Sequence, residues 1–117
     1  MRHAIAGIRS LLRDQHNAWL HALATVVVLA GGCYFDVTAI EWLALTLAIT
    51  MVWTAEALNT AFEYLCDVVS PEFHPLVKKS KDIAAGAVLM SAIGAAAIGF
   101  IIFLPHVKSL LQLLPGI

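Results

Sequence analysis

The sequence predicts an all-α membrane protein, with three transmembrane helices behind an amino-terminal amphipathic helix lying on the membrane surface. Three observations carry this expectation. The 117-residue chain is 61% hydrophobic, with a mean hydropathy of +0.86. Only 13% of its residues are charged, too few to cover a soluble domain of this size. Three apolar segments, about 18–35, 40–69 and 84–104, are each long enough to cross a hydrocarbon core, which takes ~20 helical residues. At this length a single membrane-embedded domain, 1–117, is the natural reading.

The surface helix covers about 1–14. Ile5, Ile8, Leu11 and Leu12 recur at helical spacing, and Arg2, Arg9 and Arg13 can sit at the water boundary. The first 17 residues lack the long apolar core of a signal peptide. The first span runs about Ala18 to Phe35. The second, about Ile40 to Val69, has 30 residues and should project beyond the bilayer at one end. The third, about Ala84 to Leu104, carries Ala87, Ser91, Ala95 and Gly99 four apart, a stripe of small residues that lets helices pack closely in lipid. That stripe can serve packing inside one chain or between subunits. Three spans make a thin bundle, so an oligomer is expected. Pro105 and Pro115 bracket a short final segment.

Orientation follows from Lys and Arg in the short connections. The amino-terminal segment has three Arg, and the linker Ser70–Asp82 has Lys78, Lys79 and Lys81. The turn at about Asp36–Ala39 has neither. The amino terminus and the 70–82 linker are therefore expected in the cytoplasm.

Several function classes are excluded or weakened. No basic stripe with interleaved aromatics is present, and the net charge is -1, so no nucleic-acid partner is expected. Cys33 and Cys66 sit in separate apolar stretches and read as small buried hydrophobes. There is no Walker A loop, no kinase Gly-rich loop, no G-x-S-x-G and no HExxH.

The chemistry concentrates on the second span. Glu56, Asn59, Thr60, Glu63 and Asp67 lie at offsets of 3, 4, 7 and 11 from Glu56, which puts them on one helical face. An ionisable residue at membrane depth is costly and marks function by default. One Asn or Thr could serve as helix glue, but three carboxylates without Lys or Arg on the same helix need a cation or a proton. A divalent cation such as Mg²⁺ prefers a few carboxylate oxygens plus phosphates. Asp67, Glu72 and Asp82 flank Lys78, Lys79 and Lys81 at the expected cytoplasmic boundary. Carboxylates, metal and lysine together are the parts needed for phosphoryl transfer. His74, between Phe73 and Pro75, lies beside them, whereas His3, His16 and His21 read as interfacial anchors; the five-residue spacing of His16 and His21 is poor for a shared metal. The bland alternative is a non-catalytic assembly or transport subunit with the stripe as a helix seam or proton path.

The stripe reads E-x-x-N-S/T-A-x-E-x-x-x-D from Glu56 to Asp67, and this resembles the signature of the prokaryotic diacylglycerol kinase and undecaprenol kinase family. Pro71-Glu72-Phe73-His74-Pro75-Leu76 and Lys81-Asp82-Ile83-Ala84-Ala85-Gly86-Ala87-Val88-Leu89 resemble its second block. The resemblance covers essentially the whole chain. It implies an ATP-dependent lipid kinase, a homotrimer of three-span subunits, and active sites shared between neighbours. By position it implies that Glu56 is the catalytic base, which also meets the lipid, that Asn59 shares its catalytic face, and that Glu63 binds metal. Glu72, Phe73, His74, Lys81 and Asp82 match the nucleotide-contacting segment, His3 falls near a nucleotide contact, and Arg9 lies on the lipid-substrate side. One departure stands out. The family carries a second metal-binding Glu in a local N-E-x-A/N-F-R pattern, where this chain has Gln15, with Ala18 at the Phe and Trp19 at the Arg. A Gln oxygen can still ligate Mg²⁺ but brings no charge, and Asp14 is a neighbouring substitute. The wording of the second block is more similar to undecaprenol-type members; diacylglycerol is the alternative acceptor.

Overall fold

The computed structural model describes residues 1–15, 17–114 and 116. It contains four α-helices: α1 (Arg2–Asp14), α2 (Ala18–Tyr34), α3 (Ala39–Val69) and α4 (Pro75–Gln112). They form an elongated body of 62 × 34 × 24 Å in which α3 packs principally on α4.

Helix α1 is strongly amphipathic. Its apolar face leaves Ile5, Ile8 and Leu12 exposed while Leu11 turns inward and is buried, a pattern suited to a membrane interface. The turn between α2 and α3 is tightly specified. Thr38 Oγ1 accepts from the Glu41 amide at 3.2 Å, and Glu41 Oε1 accepts from the Thr38 amide at 3.0 Å, a reciprocal capping box. Asp36 takes the left-handed conformation (φ 51°) that short polar side chains tolerate. Gly32 lets the indole of Trp42 lie directly against the α2 backbone; any Cβ there would collide with the ring. Val37, Leu45 and Ile102 form the buried core of this end, with Phe35, Trp42 and Phe103 packed around them.

Helices α3 and α4, at 31 and 38 residues, are long and apolar enough to cross a membrane. At 1.5 Å per residue both exceed a hydrocarbon core of about 30 Å. Helix α2 has 17 residues with large apolar side chains such as Leu23, Val26 and Val27 turned outward. The outward faces of α4, including Leu89, Ile93, Phe100 and Ile101, are likewise apolar and exposed, as lipid or another subunit requires.

The last helix departs from the sequence expectation at both ends. The connection after α3 is only 70–74, and Lys78, Lys79 and Lys81 are helical rather than part of a linker extending to Asp82. His74 Nδ1 accepts from the Leu76 amide at 3.2 Å, and Pro75 occupies the first helical position, where it lacks no needed donor. Charge ended the apolar segment, but lysine is a good helix former. At the other end the helix continues through Pro105 to Gln112, so Pro105 does not open a separate segment. Pro115 lies outside the described residues.

The small residues of α4 face α3. Ala87 and Ser91 line a groove of about 720 Å³ with Leu58, Asn59 and Phe62, and Ala95 and Gly99 line a smaller cavity with Leu45 and Ala48. Ala87 is exposed and a Cβ at Gly99 would meet no neighbour, so within one chain the stripe borders open grooves rather than a closed seam.

Candidate active site

The polar stripe of α3 runs from dry to wet along a single helix. Glu56, Asn59 and Thr60 are buried, at 4%, 8% and 6% exposure, Glu63 is half-buried and Asp67 is exposed. Burying a carboxylate, an amide and a hydroxyl demands partners, and those of Glu56 and Thr60 come from the α1–α2 connection and from α2. Gln15 Nε2 donates to Glu56 Oε1 at 2.5 Å and to Thr60 Oγ1 at 3.0 Å. His21 Nε2 stands 3.5 Å from Glu56 Oε2. Tyr64 donates to Asp14 Oδ2 at 3.4 Å, a second tie between the start of the chain and α3.

Further along the stripe, Asn59 Nδ2 donates to Glu63 Oε1 at 3.4 Å. Asn59 Oδ1 is buried and, among the described residues, accepts no hydrogen bond. An orphaned carbonyl oxygen beside a carboxylate is a hard-oxygen donor set of the kind Mg²⁺ uses. Among the described residues there is no group of three or more His, Cys, Asp or Glu that could hold a metal by itself. Gln15 stands differently. Its amide nitrogen, not its oxygen, is turned to Glu56, and its Oε1 accepts from the Asn17 amide at 3.5 Å. The described contacts thus join Gln15 to Glu56 and Thr60 as a donor. Asp14 is likewise engaged, by Tyr64 and by Arg13 Nε at 3.0 Å.

At the wet end of the stripe a groove of about 370 Å³ opens between α3 and α4. Asp67, Glu72, Phe73, His74, Lys78 and Lys81 line it. Lys81 Nζ bridges to Asp67 Oδ1 at 3.2 Å, and Lys78 Nζ pairs with Asp82 Oδ2 at 2.8 Å one turn along α4. Both pairs are largely exposed, so each contributes little to stability, and both lysines are available to an anion. His74 also caps α4, which fixes its ring at the groove edge. His3 and Arg9 lie exposed on α1, away from the groove lining. His16 and its pairing with His21 lie outside the described residues.

Sequence reasoning took His21 for an interfacial anchor, yet the fold brings it to Glu56. The signal was present: His21 and Thr25 lie four apart, on one face of the otherwise apolar α2.

Residues 2–103 match the family profile of prokaryotic diacylglycerol kinase. The chain belongs to that family. It is 41% identical over 103 residues to an undecaprenol kinase from Bacillus subtilis, covering 88% of this chain and 84% of that protein. It is 37% identical over 111 residues to a diacylglycerol kinase from Synechocystis sp., covering 94% of this chain and 63% of that one. A diacylglycerol kinase from Escherichia coli is 34% identical over 100 residues, with 86% and 82% covered. The family lipid kinase is accordingly an all-helical membrane protein of prokaryotic type, and its activity is phosphotransfer to a lipid.

Proposed function

We propose that this lipid kinase transfers the γ-phosphate of ATP to the hydroxyl of undecaprenol. The observation that carries the reading is the stripe itself: a buried Glu56 and a cation-lined groove at opposite ends of one helical face. ATP enters the groove from the cytoplasm, with Lys81 and Lys78 meeting its phosphates and Glu72, Phe73, His74 and Asp82 around it. Glu56 accepts the proton of the lipid hydroxyl, which reaches it from within the bilayer. Glu63 and the orphaned Asn59 oxygen are the residues to hold Mg²⁺, which would neutralise charge on the transferring phosphoryl group. The family resemblance, rather than the groove lining, assigns Arg9 to the lipid side and His3 to the nucleotide.

The acceptor is assigned from the second sequence block and from the 41%-identical undecaprenol kinase relative. Diacylglycerol is the second reading, favoured by the relatives from Synechocystis sp. and Escherichia coli. Purified protein assayed in one micelle system with undecaprenol and with diacylglycerol should show a preference of about tenfold or more in kcat/KM for undecaprenol. An equal or reversed preference assigns the chain to diacylglycerol.

The working form is a homotrimer of three-span subunits in the inner membrane, with α2 as the first span and the amino terminus inside. Cysteines introduced at positions 38 and 78, in a chain with Cys33 and Cys66 replaced, report the topology; Thr38 and Lys78 are both exposed. Impermeant thiol reagents should label 38 from the periplasm and 78 only after access to the cytoplasm. The reverse pattern would remove the groove from the compartment that holds ATP.

A further inference from the structure

Glu56 accepts a hydrogen bond from Gln15 on one oxygen and has the His21 imidazole close to the other, and that second side has a construction of its own. His21 Nε2 lies 3.5 Å from Oε2, opposite the Gln15 donor on Oε1. The imidazole has an aromatic neighbour. Its edge packs on Trp53 with ring centroids 5.7 Å apart at 60°. Trp53 Nε1 donates to Thr25 Oγ1 at 3.0 Å, and Thr25 Oγ1 donates in turn to the carbonyl oxygen of His21 at 2.7 Å. The contacts close a circuit from His21 through Trp53 and Thr25 back to His21, spanning α2 and α3. Rotating the ring away from Glu56 breaks its contact with Trp53.

A carboxylate buried in an apolar bundle can still turn about its last bond, and a base is useful only while a lone pair faces the proton it takes. One donor fixes one oxygen; two donors on different oxygens fix the plane. We propose that His21 is a positioning residue for Glu56: its Nε2–H donates to Oε2 and, with Gln15 on Oε1, orients the carboxylate toward the acceptor hydroxyl. The inference rests on Glu56 being the base. The 3.5 Å separation is of the kind that tightens when substrate completes a site. Thr25 and Trp53 act one step further back, by setting the ring.

Two substitutions separate positioning from packing, because each retains one property of His21. His21→Phe preserves the edge-to-face contact with Trp53 and loses the donor. His21→Gln loses the aromatic contact and retains an amide donor at nearly the same reach. Steady-state kinetics on the purified oligomer should show kcat reduced roughly 10–100-fold in His21→Phe, with KM for ATP and lipid within about twofold, since misplacing a catalytic group costs turnover rather than binding. His21→Gln should recover most of that loss. If His21→Phe retains its rate, or if the two variants lose it equally, the residue only packs and the proposal fails. If His21→Phe does not assemble, His21→Leu against His21→Gln makes the same comparison. Glu56→Gln run alongside tests the underlying reading independently: an inactive Glu56→Gln with a normal His21→Phe overturns this inference alone.

Discussion

Glu56→Gln is expected to lose nearly all phosphoryl transfer while folding, assembling and binding a non-hydrolysable ATP analogue almost as the parent does. The substitution preserves the volume of a side chain that is 4% exposed, so no cavity opens. Its carbonyl oxygen can still accept from Gln15, and its amide can face His21, whose ring nitrogen accepts in the other tautomer. What is lost is the base. General-base assistance contributes roughly 10²–10⁴-fold, and the rate should fall by that order. Glu56 lies seven residues, about 10 Å of helix rise, from Glu63, which separates it from the nucleotide end and leaves analogue affinity untouched. Rates and analogue affinity measured on the same preparation check this. A variant retaining more than about a tenth of the rate would mean that another group takes the proton, with Asp67 the next candidate, or that a loose transition state needs none.

Glu63→Gln should fail in a different way. The half-saturating Mg²⁺ concentration is expected to rise about tenfold or more, the rate to drop by orders of magnitude, and nucleotide binding in the presence of metal to weaken. Among the described residues the half-buried Glu63 makes one side-chain hydrogen bond, with Asn59, so the oligomer should survive the change. Gln15→Glu is the informative partner in a metal titration. It replaces the donor on Glu56 by a second carboxylate, and two carboxylates at hydrogen-bond distance repel unless a cation or proton intervenes. That variant should therefore lose thermal stability in the absence of Mg²⁺ and regain it on addition. An unchanged metal dependence in Glu63→Gln would return the residue to a helix-seam role, and an unchanged stability in Gln15→Glu would separate Gln15 from the charge balance of the site.

Helix existence and the polar stripe were legible because each rests on a one-dimensional pattern. Apolar length gave α2 and α3 to within a residue or two, and 3.6-residue spacing put Glu56, Asn59, Thr60, Glu63 and Asp67 on one face. The start of α4 was misread because charge was taken to end an element when it ends only the apolar stretch; the His74 cap and Pro75 were the better signals. At its other end α4 runs through Pro105 to Gln112, a stretch the sequence presents as a short segment bracketed by two prolines, and Phe35 of the α2–α3 turn packs on Phe103 just before the proline. The partners of Glu56 were hidden for another reason. Gln15 and His21 lie 41 and 35 residues away in sequence, and the fold alone brings them to Glu56. Likeness to the family placed Gln15 where a metal-binding Glu is expected, as an uncharged ligand; in the fold its amide nitrogen donates to Glu56.

The gradient of burial along α3 has a thermodynamic corollary. Between Glu56 and Asp67 the helix climbs eleven residues, about 16 Å, and passes from the buried interior of the protein to its exposed surface. In the proposed reaction neither reactant has to change phase. The isoprenoid stays dissolved in its leaflet, the nucleotide stays in water, and only the phosphoryl group crosses the short distance between the two solvents. The partition cost of extracting a long hydrocarbon chain, about 0.8 kcal/mol for every methylene, never enters the barrier. A chain with so small a core can therefore serve a long lipid, because it needs to recognise only the end that reaches the boundary.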